Sequence, residues 1–79
     1  MEELNPKVVE ETILNVLGTV TRADISGLTM ETPLTEVGLK SIQLISVSAL
    51  LDEKLGIAPN FRTLIGMETI GQIRDYILR

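Results

Sequence analysis

Ser41 is the residue of this 79-residue chain whose surroundings raise a chemical question: it follows "GLK" and opens the apolar stretch "SIQLISVSALL". A serine oxygen can attack a substrate, cap a helix or receive a group from another enzyme, and composition narrows the choice. The chain has no Cys, and its His count is 0. A thiol nucleophile, the commonest general base and the commonest zinc ligand are therefore all missing, and a self-sufficient enzyme is not expected. The net charge of −4 and seven scattered Lys and Arg argue against a phosphate backbone as partner, so nucleic acid is not expected. No apolar run reaches about 18 residues. The opening "MEELNPK" has no basic segment leading into an apolar one. The expectation is a cytoplasmic protein without stable membrane insertion.

The elements that hold Ser41 in place must come from an apolar core alone, because neither disulfides nor a metal cluster can staple the chain; a 44% hydrophobic content makes that feasible for one domain over residues 1–79. Asn5 followed by Pro6 is a helix start, an amide that can cap and a proline tolerated at the first helical position. Val9, Ile13, Val16, Leu17 and Val20 then recur at steps of three and four, opposite Lys7, Glu10, Glu11 and Asn15. Gly18 weakens the last turns, so this helix ends between Leu17 and Arg22. From Thr21 to Lys40 no periodicity is sustained. A connection this long in a small domain is expected to be ordered by its leucines and to carry function. Ser41 to Leu55 is the strongest helical stretch, with Leu44, Val47, Leu50, Leu51 and Leu55 as its buried stripe and Gly56 as its stop. Ile42, Ile45 and Ala49 fall towards the edges of that stripe, giving the helix a mildly apolar outer face. "NFRTLIG" allows a turn or two of helix. Thr69 then caps a last helix with Ile70, Ile73, Ile77 and Tyr76 on its apolar face and Gln72, Arg74 and Asp75 in water. The expected fold is a small all-α four-helix bundle: three principal helices, a short third one, and a long loop after the first.

Within that frame four roles for Ser41 compete. A phosphate-binding loop fails, because it needs two glycines bracketing four residues and then Lys-Ser or Lys-Thr at once; here Leu39 stands between Gly38 and Lys40. A catalytic serine lacks a histidine base, and Lys40 is merely its chain neighbour. Two roles stay open. Ser41 can cap the helix by accepting from a free backbone N–H. It can also receive a phosphate-linked group, because a helix N-terminus favours an anion and Lys40 adds attraction.

The order of helix, long loop, "TPLTEVGLKSIQLISVSALLDEKLGI", short helix and "TIGQIRDYI" resembles an acyl carrier protein over nearly the whole chain. In that family a serine opening the second principal helix, within a Gly-Leu/x-Asp-Ser-Leu/Ile signature, receives a 4'-phosphopantetheine arm. Gly38, Leu39, Ser41 and Ile42 match it. The resemblance implies covalent attachment at Ser41 and a thiol supplied by the arm, which the cysteine-free chain cannot supply itself. It further implies a monomeric carrier that meets a phosphopantetheinyl transferase and acyl-loading and acyl-processing enzymes.

The chain departs from the family pattern at Lys40, where aspartate is usual. Lysine can neither accept a hydrogen bond nor coordinate Mg2+, and its charge stands at the unfavourable end of the helix dipole. The helix starting at Ser41 also bears few acids, only Asp52 and Glu53 against Lys54. Docking is therefore expected to rest less on charge, with Lys40, Ile42, Gln43, Ser46 and Ala49 as the residues that meet partners, pointing to a specialised lipid, polyketide or peptide pathway. The alternative is a carrier-like interaction module that is never modified, with Ser41 as a cap.

Overall fold

The computed structural model describes residues 4–79, in which the chain forms α1 (Pro6–Thr21), α2 (Leu34–Val37), α3 (Ser41–Leu55), α4 (Phe61–Ile65) and α5 (Ile70–Leu78). Among the described residues there is no strand, only an isolated bridge between Pro33 and Thr69. The all-helical bundle expected from the sequence is present, with one addition: the long loop contains the single turn α2. Four residues are too few to show a helical period, so that turn left no mark on the pattern.

Helix α1 starts as its sequence dictates, with Pro6 at the first position and Asn5 Oδ1 accepting from Val8 N–H at 2.9 Å. Its stripe is real: Val9, Ile13, Val16 and Leu17 are fully buried, and Val20 is half-buried. Each full burial of this kind contributes roughly 1.5 to 3 kcal/mol as an upper bound. Gly18 has a use the sequence did not show. A Cβ there would lie 2.6 Å from Ile25 Cγ2, so the glycine lets the loop close down on the helix end.

Val47 and Leu51 carry α3 into the core, while Leu44, Leu50 and Leu55 are half-buried against it. Gly56 ends the helix at φ 77°, its N–H donating to Asp52 O at 2.8 Å. Helix α1 packs against both α3 and α5, and α4 packs on α3. Ile70, Ile73 and Ile77 complete the core from α5. Glu10 and Arg74, each on the outward side of its own helix, meet across the α1–α5 seam at 2.8 Å. Glu10 and then Asp75 raise the Arg74 pKa above its ordinary value.

The start of α5 corrects a sequence expectation. Thr69 occupies the cap position but its side chain makes no capping hydrogen bond. Instead the long loop supplies main-chain carbonyls: Ile70 N–H donates to Thr32 O at 3.1 Å and Gly71 N–H to Met30 O at 2.7 Å. In return Leu34 N–H donates to Glu68 O at 2.8 Å, so loop and helix satisfy one another. The loop is thereby fixed at its far side, which places α2 and the approach to Ser41.

Candidate functional site

The approach to Ser41 is a sharp change of direction. Gly38 ends α2 at φ 83°, in the left-handed region glycine enters without steric cost. Half-buried Leu39 anchors the turn on the core, and Lys40 is extended, at φ −87° and ψ 159°, directly before the helix. Lys40 is thus the N-cap residue and Ser41 the first helical residue. The reading in which Ser41 caps α3 fails for that reason. Ser41 stands one position too late, and among the described residues no hydrogen bond uses its hydroxyl.

The four serines of the chain differ in this respect. Ser26 Oγ donates to Asp24 Oδ2 at 3.0 Å, and Ser48 Oγ donates to Pro59 O at 2.8 Å, fixing the link from α3 to α4. Ser46 is exposed midway along α3. Only Ser41 combines exposure with a place at a helix start, where backbone dipoles favour an attached anion.

The first turn of α3 contains no acidic residue. Lys40 N–H donates to Gln43 Oε1 at 2.8 Å, and Gln43 and Leu44 N–H both donate to Lys40 O, at 2.9 and 3.2 Å. The amides of Ser41 and Ile42 have no acceptor among the described residues. The lysine side chain has no acceptor to give, whereas Asn5 and Asn60 accept from the third-residue amides of their helices, Val8 in α1 and Thr63 in α4.

Gln43 has a role the sequence reading missed. Its Nε2 also donates to Val20 O at 3.4 Å, so it is half-buried and brackets the start of α3 to the end of α1. Its partner lies 23 residues away, beyond any local pattern. Of the other residues expected to meet partners, Lys40, Ser46 and Ala49 are exposed and Ile42 is 73% exposed. Ile45 and Ile65, at 54% and 57%, extend the apolar surface to α4.

Beside Ser41 lies a cleft of about 240 Å³ lined by Leu34, Thr35, Leu39, Leu44, Leu64, Ile65 and Met67. It joins α2, α3 and α4, which explains why the sequence alone did not reveal it. A model of the phosphopantetheine attachment site matches residues 11–77, nearly the whole chain and all of this geometry. The chain belongs to the phosphopantetheine attachment family. Comparison with curated proteins and with solved structures gives no match.

Members of the phosphopantetheine attachment family carry 4'-phosphopantetheine covalently, and such carrier domains are generally not catalysts. The residues around Ser41 fit that group by their chemistry: an exposed hydroxyl, two backbone amides without acceptors, an exposed lysine and an apolar cleft alongside. When bound, the arm supplies the thiol that the chain lacks. No helix of the described residues is long and apolar enough to cross a membrane.

Proposed function

We propose that residues 1–79 form one carrier domain that holds acyl intermediates as thioesters on a 4'-phosphopantetheine arm attached to Ser41, and that this domain is not itself an enzyme. The observation that carries the reading is the exposed, unengaged Ser41 hydroxyl at the first residue of α3, inside the segment that matches the family. Attachment is performed by a phosphopantetheinyl transferase: the Ser41 hydroxyl passes its proton to a base of that enzyme, its oxygen bonds the phosphorus that bears pantetheine in a pyrophosphate-linked donor, and the bridging P–O bond breaks to release the donor's other phosphate. The loaded monomer then meets acyl-loading and acyl-processing enzymes in the cytoplasm.

The surface around Ser41 supports a specialised lipid, polyketide or peptide pathway. Residues 41 to 51 of α3 carry no charge at all, while Ile42 and Ile45 are open to solvent. Such a face selects partners by apolar fit, with Lys40, Ser46, Ala49 and the outer edge of Gln43 completing the contact. The test is intact-mass measurement after co-expression with several transferases. A gain of one phosphopantetheine that disappears in Ser41→Ala supports the carrier; no gain with any transferase supports the unmodified module.

A further inference from the structure

We infer that Gln43 is the positioning residue for arm transfer, a role that presupposes attachment at Ser41: its side-chain amide ties the turn before that serine to the end of α1, and so presents the hydroxyl to the transferase in one geometry. The chain reaches Ser41 through Gly38, at φ 83°, and through Lys40, whose side chain makes no capping hydrogen bond. Neither residue by itself fixes the direction in which α3 begins.

Gln43 fixes it with the two halves of one amide. Oε1 accepts from Lys40 N–H at 2.8 Å, and Nε2 donates to Val20 O at 3.4 Å. The first of these groups precedes the helix it introduces, and the second lies in the last turn of α1, beyond the reach of that helix's own amides. The seam thus requires an acceptor and a donor on one rigid group, which a planar amide offers and a carboxylate or an ammonium does not. Half-buried Gln43 joins positions 23 residues apart, and the place of Ser41 follows from where α1 stops. Without the amide, the turn from Gly38 to Lys40 takes up other directions and only a fraction of the chains meets the transferase correctly. That raises the KM for the carrier by the inverse of the fraction and leaves kcat unchanged, because the bound turn is already in place.

The experiment uses a transferase that loads the wild-type chain, with the concentration of unmodified carrier varied, beside hydrogen exchange at the Lys40 amide. Gln43→Met keeps the length of the side chain and removes both hydrogen bonds; Gln43→Glu keeps the acceptor for Lys40 and removes the donor to Val20. Ile73→Val, in the buried face of α5, lowers stability away from the seam. Gln43→Met is expected to raise KM about fivefold, as loss of a cap-type hydrogen bond implies, with faster exchange at Lys40 and the same kcat. Gln43→Glu is expected to keep Lys40 protected, to shift the resonances of Val20 and Thr21, and to raise KM less. Ile73→Val is expected to leave KM and Lys40 exchange as in wild type. An unchanged KM in Gln43→Met overturns the positioning role. So does a raised KM with unchanged Lys40 exchange, which would make Gln43 a direct contact of the enzyme, and so does an equal rise in Ile73→Val, which would make the effect one of stability. A wild-type KM in Gln43→Glu overturns the tie to α1. All four results leave attachment intact, whereas a wild-type chain that accepts no arm from any transferase overturns the attachment reading itself.

Discussion

Helices α3 and α5 begin in opposite ways. The start of α5 is closed by carbonyls of Met30 and Thr32, and a Cβ on Gly71 would come within 2.9 Å of Met30 O. The start of α3 is open: its cap residue is a lysine, its first serine is exposed, and an apolar cleft of about 240 Å³ adjoins it. Both ends follow a loop and a cap residue whose side chain makes no capping hydrogen bond, yet one is sealed by the fold and the other left to the solvent. A helix end closed by main chain has no spare hydrogen-bonding capacity and contributes stability. One that keeps its amides free is available for an attached group. The cost of the open end is tolerated because Val47 and Leu51 pin α3 farther along.

That contrast can be broken in several places, beginning with the anchor. Leu51→Ala is expected to lose about 2 to 5 kcal/mol in denaturant unfolding, since a fully buried side chain leaves a cavity. A loss below about 1 kcal/mol would mean that α3 is not held by its far half. Gly71→Ala attacks the sealed start. The methyl meets a backbone carbonyl that cannot rotate away, and a loss of about 1 to 3 kcal/mol is expected, with Met30 and Thr32 following in amide chemical shifts. Ile42→Ala attacks the open start, where 73% exposure leaves little to lose. Its stability should stay within about 0.5 kcal/mol of wild type while transfer of the arm slows. Lys40→Asp sharpens the same end by restoring the family's usual carboxylate: the fold is unchanged and modification by a standard transferase is faster. An unchanged rate would show that this carboxylate contributes little to the transfer.

The smallest effect concerns the exposed turn of the long loop. Hydrogen bonds from Ser26 N–H and then Ser26 Oγ lower the Asp24 pKa below its ordinary 3.8. The folded value lies below the unfolded one, so the contribution is present above pH 3.8 and fades as pH falls through the lower folded value. Asp24→Asn is expected to flatten that acid limb of stability slightly and to leave both helix starts unaltered.

What could be read from residues alone was what local chemistry decides. Asn5 with Pro6 and Gly56 marked their helix ends because a cap or a left-handed stop is settled within one turn. The stripes of α1 and α5 were legible for the same reason, and so were the place of Ser41 and the anomaly of Lys40. The rest depended on distant partners. Thr69 looked like a cap, but the loop reaches α5 first. Gln43 looked like surface until Val20, and Arg74 like a solvated charge until Glu10, 64 residues away. The cleft beside Ser41 draws on α2, α3 and α4 together, so no single stretch announces it.

The central claim, that the open start of α3 is the point of attachment, is tested most directly by locating the modification. Protein co-expressed with a transferase is digested and its peptides fragmented in the mass spectrometer, which separates Ser41 from Ser26, Ser46 and Ser48. One phosphopantetheine on Ser41, with the other three serines unmodified, is the predicted result. An arm on any other serine, or none with every transferase tried, would contradict it.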